Sequence, residues 1–168
     1  MPGRVETKPM FEGCRIIFRN FSGEQSQFNP MGKRNFCVII DDMDVARDMK
    51  NDGWNVKYLQ PREEGDSETP YLQVEVSYLN VPPTIVILTS GGRTVLNEDT
   101  VGMLDHAEIE NVDLIINPYN WEVNGKSGVK AYVKSMYVTL SEDALAQKYG
   151  NVSPVGYTSQ DNPPFDYN

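Results

Sequence analysis

The chain has 168 residues, a length that suits one domain or one domain with an appendage. Apolar residues make up 39%, as in ordinary globular proteins, which argues against wholesale disorder. The formal net charge is -9, from 24 acidic and 15 basic side chains. This excludes a nucleic-acid binder that works through total charge, so any such function must rest on the local distribution of charge.

Residues 1–10 contain Pro and Gly without apolar periodicity and are predicted to form a flexible arm. They lack the apolar core of a signal peptide, and no run approaches membrane-spanning length. Cys14 and Cys37 each lie in an apolar, strand-like run without metal-ligand spacing. We expect buried free thiols in a reducing compartment, with a disulfide between neighbouring strands as the alternative. An intracellular protein that does not contact membranes is therefore predicted.

Two strands open the predicted domain. Residues 11–21, FEGCRIIFRNF, alternate, and Ile16 and Phe18 are assigned to the buried face. Residues 33–41, KRNFCVIID, have a continuous apolar centre, which is typical of a strand buried on both faces. The outward face of the first strand and the entrance of the second carry four cations: Arg15, Arg19, Lys33 and Arg34.

A helix and a strand are predicted as an insertion at 42–60, between the second and third main strands. Asp42 or Asp44 can cap a helix over MDVARDMKND, and Gly53 is its natural stop. The segment WNVKYLQ, which follows directly, is predicted to be a short strand.

The middle of the chain alternates between apolar and polar residues. PYLQVEVSYL is predicted to be a strand that buries Leu72, Val74 and Val76. Two prolines interrupt pairing before TIVILTS, a mostly buried strand that ends in a GGR turn. NEDTVGMLDHAEI is typical of a short amphipathic helix with acids at its start.

Residues 111–140 are predicted to form a long hairpin, VDLIINPYNWEV and VKAYVKSMYVTL joined by NGKSG. Near the turn, where no acid falls between Asn124 and Met136, three rings and two lysines lie close together in sequence: Tyr119, Trp121, Tyr132, Lys130 and Lys134. Aromatic rings stack on bases and ammonium groups neutralise phosphates. The pattern therefore predicts a surface for a single nucleic-acid strand, although packing is the usual role of any single ring in a strand.

The register of the hairpin decides whether this surface exists. With a loop of two or four residues, Tyr119 and Trp121 share a face with the lysines, and Tyr119 lies near Tyr132. With a five-residue loop the rings face away from the lysines. Asn124-Gly125 favours the two-residue turn, so we expect the shared face.

The order of elements predicts a mainly β protein. Helices are short and confined to connections, which excludes a doubly wound α/β sheet. Three strands, a helix and a closing pair fit a five-stranded Greek-key barrel, the oligonucleotide-binding (OB) fold, over residues 11–149. The first two strands of this fold neighbour its binding groove, so Arg15, Arg19, Lys33 and Arg34 are predicted to contact the nucleic-acid strand beside the hairpin lysines, with solvated surface charges as the alternative. A β-sandwich is the alternative architecture. Residues 150–168 lack apolar periodicity and are predicted to be a disordered acidic tail.

Four stretches, GCRIIFRNFSG, RNFCVIIDD, GWNVKYLQPREEGD and INPYNWEVNGKSGVKAYVKSMYV, resemble a group of small bacteriophage single-stranded-DNA-binding proteins with an OB fold. The resemblance covers roughly residues 11–148. It implies protection of single-stranded DNA during phage replication or recombination, in the cytoplasm of the host cell. It implies no individual site residues, so the candidates above come from the strand pattern alone.

The tail supplies a second predicted site. Its tip is similar to the acidic, Pro-Phe-tipped tails by which bacterial single-stranded-DNA-binding proteins recruit replication and repair partners; the candidate residues are Asp161, Pro163, Pro164, Phe165 and Asp166. The chain departs from that pattern by having only two acids there and by continuing to Tyr167 and Asn168. An ordinary chain end is the alternative.

No catalytic motif is present: the chain contains no P-loop, GxSxG, HExxH or cysteine cluster. Helix capping explains the acids at 41–48 without a metal, and His106 has no nucleophile pattern around it. We therefore predict a protein without catalysis, cofactor or metal, which binds single-stranded DNA with little sequence preference. The alternative function is a phage structural or interaction protein whose aromatic hairpin packs on another protein.

Overall fold

The computed structural model describes residues 4–142 apart from residues 62, 66 and 80. The strands in this part of the chain are β1 Met10–Cys14, β2 Ile16–Asn20, β3 Arg34–Ile39, β4 Val56–Leu59, β5 Thr69–Val76, β6 Thr84–Thr89, β7 Gly92–Leu96, β8 Ile109–Val123 and β9 Lys126–Leu140. Helix α1, Met43–Asp52, and a 3₁₀ helix, Val101–Asp105, lie in the connections.

The strands close into a barrel because β1 and β2, separated only by Arg15, pair with different neighbours. β1 pairs with β8 and β2 with β3, while β3 pairs with β5, β5 with β9 and β9 with β8. The β5–β9 pair is parallel and the others are antiparallel. Counting β1 and β2 as one strand, this is a five-stranded Greek-key barrel, and the predicted OB fold is confirmed.

The first barrel strand differs from its prediction as one alternating run. Gly13 has φ +59° and Phe18 has φ +53°, and the pairing register shifts near both positions. These irregularities break the two-residue alternation on which the prediction depended. As a result Phe18, predicted to be buried, is 60% exposed.

The predicted insertion is present and anchored to the barrel. The Asp42 carboxylate accepts hydrogen bonds from the backbone N–H groups of Asp44 and Val45, and Gly53 ends α1 with φ +108°. β4 pairs with β5. The Gly53 carbonyl also accepts a hydrogen bond of 2.9 Å from the Val129 N–H, which ties the end of α1 to β9.

Two features between the third and fourth barrel strands depart from the predictions. The sequence predicted no strand after the GGR turn, yet β7 pairs with β6 along its length, and β6 in turn pairs in parallel with β9 outside the barrel closure. The predicted amphipathic helix is a single 3₁₀ segment, in which Val101 and Leu104 are buried. Five residues suffice to place two apolar side chains in the core.

The barrel interior is apolar and continuous. Phe21 and Phe36 stack at its centre, with ring centroids 5.0 Å apart. Cys14 and Cys37 are buried free thiols, as predicted. Burial raises the pKa of both cysteines from 9.0 to about 11, so neither is a reactive thiolate at neutral pH.

The N-terminal segment lies against β8. The Val5 N–H donates to the Asn120 side chain, whose amide group donates back to the Val5 carbonyl at 2.7 Å. The Pro9 carbonyl accepts from the Ile116 N–H. The described part of the predicted arm therefore has specific contacts with the barrel.

The predicted tail, 150–168, with its five candidate residues, lies outside the described residues. Neither helix that the structure describes combines the length and apolar character needed to cross a membrane.

Candidate nucleic-acid interface

The hairpin turn has the geometry that Asn-Gly favours. Asn124 and Gly125 have φ values of +52° and +80°, and Val123 pairs directly with Lys126. Positive φ at both central residues is the mark of a type I′ turn. The two-residue loop is confirmed, and with it the parity that places the rings and lysines together.

Cross-strand pairs then define one outer face near the turn. Tyr119 lies opposite Lys130, Trp121 opposite Gly128, and Tyr132 opposite Asn117. Directly opposed residues in a sheet project to the same side. Tyr119 and Tyr132 are diagonal neighbours, with ring centroids 6.0 Å apart and an interplanar angle of 77°. They meet edge to face, so each ring keeps a face free of the other.

Trp121 covers the backbone of the facing strand. A Cβ atom built on Gly128 would lie 2.8 Å from the Trp121 ring, closer than any real contact allows. The glycine therefore permits the indole to lie against β9 while 39% of the residue stays exposed.

The same outer face continues across the barrel. Glu75 of β5 lies opposite Tyr132. Gln73 and Tyr71 follow on the same side of β5, and Tyr71 lies opposite Lys57 of β4. The ring of Phe18 packs edge-on against Tyr71 at 5.9 Å. This second aromatic pair was missed by the site prediction. The position of Tyr71 on this face could be predicted, because it alternates with buried residues along β5. That of Phe18 could not, because the irregularity in its strand breaks the two-residue alternation.

A charged cluster lies between the hairpin and β3. Glu75 is 8% exposed and is the only buried charged residue in the described part of the chain. Its two carboxylate oxygens accept from Lys33 at 2.9 Å and Lys130 at 3.0 Å. Burial alone would raise the pKa of Glu75, but the two lysine hydrogen bonds outweigh it and the pKa is lowered. The carboxylate is therefore ionised at neutral pH.

The pKa of Lys130 shifts in the opposite direction to that of Glu75. Partial burial would lower the pKa of its ammonium group, yet the Glu75 carboxylate raises the pKa above its ordinary value. The ammonium group also lies 5.6 Å from the centroid of the Tyr132 ring. Lys130 is thus charged and held beside an aromatic face, as a contact to a nucleotide phosphate requires.

Arg34 extends the cluster towards the loop before β3. Its guanidinium group lies 3.4 Å from Glu98 and 5.7 Å from the centroid of the Tyr78 ring. The predicted cations Lys33 and Arg34 therefore both join the hairpin residues, although each is paired with a carboxylate.

Three adjoining cavities form one depression along this face. The first, of about 630 Å³, separates Trp121 and Tyr119 from residues 53–55, which follow α1. A small cavity of about 110 Å³ at Lys33 and Lys130 links it to a third of about 510 Å³. We call this depression the groove. The connection between α1 and β4 supplies its wall opposite the hairpin.

Three predicted cations lie elsewhere or at the margin. Arg15 forms an exposed ion pair with Asp41 at 3.2 Å. Arg19 donates to the carbonyls of Leu104 and Ala107, so its guanidinium group joins β2 to the 3₁₀ helix. Neither residue lines the groove. Lys134 is exposed at a break in the β8–β9 register, two residues beyond Tyr132.

The acids that follow β3 have structural partners. Asp41 pairs with Arg15, Asp42 caps α1 and Asp44 pairs with Arg47. Within residues 4–142, as far as they are described, no three His, Cys, Asp or Glu residues are grouped so as to hold a metal ion.

Comparison with family models gives one decisive match, over residues 3–162, to the family described as "Putative phage ssDNA-binding domain". The chain belongs to this family. A search of curated proteins finds no match.

Solved structures of similar fold include the single-stranded DNA-binding protein from bacteriophage Enc34 in a C-terminally truncated form, with TM-score 0.51 and 9% identity over 81% of this chain and 87% of that chain. The Enc34 protein in complex with ssDNA matches with TM-score 0.50 and 10% identity over 81% and 88%. Gp2.5, a single-stranded DNA binding protein of bacteriophage T7, matches with TM-score 0.40 and 13% identity over 93% and 100%. At 9–10% identity the likeness to the Enc34 protein shows the fold.

Proposed function

We propose that this protein binds single-stranded DNA in the groove, with little sequence preference, during phage DNA replication or recombination. The observation that carries the proposal is the hairpin register, which brings Tyr119, Trp121, Tyr132 and Lys130 onto one face of an OB barrel. Membership of the phage family and the Enc34 complex with ssDNA support the same function.

In this proposal bases stack on the free ring faces of Trp121, Tyr119 and Tyr132. Each stacked base contributes about 1–3 kcal/mol and depends weakly on its identity, which explains low sequence preference. Lys130 and Lys33 contact phosphates, and Lys134 and Arg34 extend the basic path at either side. A duplex does not fit this scheme because its bases are already stacked on one another.

The role is proposed to be non-catalytic and without a cofactor, and to take place in the host cytoplasm. The tail is proposed to recruit replication or recombination proteins through its Pro-Phe segment at 161–166. A tail of this acidic character can also compete weakly with DNA for the groove cations, so its removal is expected to tighten DNA binding.

The test is fluorescence anisotropy with labelled oligo-dT and with duplex DNA, using the wild type, Trp121→Ala and Lys130→Glu. We expect oligo-dT to bind at low salt and Trp121→Ala to weaken binding by about tenfold or more, as loss of one stacked base implies. Lys130→Glu should weaken it by a similar factor, because it replaces a phosphate contact with a like charge. If wild-type protein fails to bind oligo-dT at low salt, the proposed function is wrong. If it binds but both variants bind equally well, only the assigned site is wrong.

The alternative function is an interaction protein that uses the hairpin to contact another protein. Its motivating observation is that Trp121 and Val123 are exposed apolar residues at the hairpin tip. Rising salt separates the two functions, because DNA binding through several cations weakens steeply whereas an apolar interface does not.

A further inference from the structure

The third cavity of the groove reaches beyond the hairpin, and the contacts proposed so far place no base in it. It is formed by the loop before β3 and the segment after β5, and we call it the loop pocket; its lining includes Met31, Arg34, Tyr78, Leu79 and Glu98. Its volume is about 510 Å³, within the range of small-molecule sites.

Unused hydrogen-bonding capacity is concentrated here. In the described part of the chain, two buried side-chain polar atoms have no hydrogen-bond partner: Nε of Arg34 and the hydroxyl of Tyr78. Both belong to residues that line the loop pocket. Buried polar atoms are normally paired, so these two atoms beside one pocket leave hydrogen-bonding capacity that a group entering the pocket can use.

The charges of the loop pocket favour a neutral occupant. Arg34 is paired with Glu98 at 3.4 Å, and Lys33 with Glu75 at 2.9 Å. The two cations and two carboxylates of the lining sum to zero charge, so a phosphate gains little inside the pocket; Lys33, which also lines the small cavity beside Lys130, meets a phosphate at the junction of the two cavities. A nucleobase is neutral, and its edge carries both donors and acceptors.

Exposed apolar side chains stand at the rim of the loop pocket. Met31 is 77% exposed and Leu79 is 90% exposed, while Arg34 lies over the ring of Tyr78. Met and Leu side chains can close on the two faces of a planar base without selecting its identity. Large apolar groups left this exposed commonly mark a binding surface.

The loop pocket is continuous with the proposed DNA path, since Tyr132 and Lys33 line it as well. We propose that the loop pocket receives one nucleobase of the bound strand, next to the base that stacks on Tyr132. A small rotation of Tyr78 or Arg34 then presents their unpaired polar atoms to the base edge. This inference rests on the proposed DNA binding and lengthens its site beyond the hairpin.

The experiment compares wild-type protein with the double variant Met31→Ser, Leu79→Ser. Affinity is measured for a series of oligo-dT molecules, each with a single abasic site at a different position. Val81→Ser is the matched control, because Val81 is 84% exposed on the same connection but does not line the loop pocket. Trp121→Ala measures the contribution of stacking on the hairpin. Far-ultraviolet circular dichroism verifies that each variant still folds.

We expect the double variant to lose about fivefold to tenfold in affinity, and by the same factor at every salt concentration because no charge is removed. Wild-type protein should show a second position at which the abasic site weakens binding, and the double variant should lose that position alone.

If Trp121→Ala weakens binding while the double variant matches Val81→Ser, the loop pocket takes no base and the proposed function stands. If wild-type protein does not bind oligo-dT, both proposals fail.

Discussion

At the scale of single residues, the groove is controlled by Glu75. This carboxylate holds the ammonium groups of both Lys33 and Lys130, so a DNA phosphate must compete with it for the same cations. It also holds Lys130 beside the ring of Tyr132. In the proposed site we therefore expect Glu75 to limit affinity for DNA and to order the lysines at the same time.

Glu75→Gln is expected to tighten low-salt oligo-dT binding by several-fold, because two ammonium groups lose their internal anion. Glu122→Gln is the matched control: it removes the same charge near the turn, but Glu122 pairs with Ser127 on the other face of the hairpin. Anisotropy titrations measure the oligo-dT affinity of both variants. Equal changes in affinity would mean that net charge, rather than the position of Glu75, controls binding.

The same substitution predicts a pH effect on stability. The pKa of Glu75 is lowered in the folded state, so its stabilising contribution is present above the unfolded pKa and is lost as pH falls through the folded pKa. We expect Glu75→Gln to cost on the order of 1–2 kcal/mol at neutral pH and less in acid. Urea unfolding of the wild type and the variant at several pH values measures the difference in their free energy of unfolding. A difference that does not change with pH would contradict the prediction.

Gly128→Ala tests the position of the Trp121 ring. Since a Cβ atom would lie 2.8 Å from the indole, the ring must move off β9. We expect altered tryptophan emission and an affinity loss approaching that of Trp121→Ala, with little change in Tm because the ring is partly exposed. Gly91→Ala, in the turn between β6 and β7 where a Cβ atom would meet only an ordinary contact at 3.8 Å, should change neither property. Unchanged affinity in Gly128→Ala would show that DNA binding does not depend on the position of the Trp121 ring.

At the scale of elements, the site is built between the β8–β9 hairpin and the inserted helix. The turn at Asn124-Gly125 sets which side chains face the groove. The hydrogen bond from the Val129 N–H to the Gly53 carbonyl sets how far the opposite wall stands from them. One element presents the rings and the other limits the width of the groove.

Asp42→Ala should lower the free energy of unfolding by about 1 kcal/mol, because it removes the acceptor of two N-terminal hydrogen bonds of α1. DNA affinity should stay the same, since the groove wall lies at the other end of the helix. Asp44→Ala, which breaks only an exposed ion pair with Arg47, serves as the control in urea unfolding. Equal losses in the two variants would contradict the capping role.

At the scale of the whole molecule, an acidic protein presents a local basic path. The net charge of -9 opposes long-range attraction to any polyanion. In the proposed function, binding therefore depends on short-range contacts within the groove, where stacking adds to a few cation–phosphate pairs. We expect this combination to favour single strands over duplex DNA.

The salt dependence of oligo-dT binding measures the number of those pairs. With phosphate contacts from the four cations of the proposed path, the slope of log K against log salt is expected to be roughly -3, and Lys130→Gln should reduce its magnitude by about 0.7. Arg93→Gln, an exposed residue of β7 outside the lining of the groove, should leave the slope unchanged. A slope near zero in wild-type protein would favour the protein-interaction alternative.

The sequence by itself determined the features that depend on neighbours in the chain. Asn124-Gly125 specifies its turn through two positive φ values, and Asp42 and Gly53 specify the ends of α1 through local hydrogen bonds. The two-residue period of the hairpin then follows, and with it the shared face of the rings and Lys130. These parts were predictable because their energies are short-range.

Only the tertiary structure decided which distant groups meet. Lys33 and Lys130 come from separate strands to one carboxylate on a third, and Phe18 reaches Tyr71 because positive φ breaks its strand. Arg19 looked like a groove cation but satisfies two carbonyls of a remote loop. Such pairings depend on barrel closure, which brings together side chains whose separation in sequence carries no local signal.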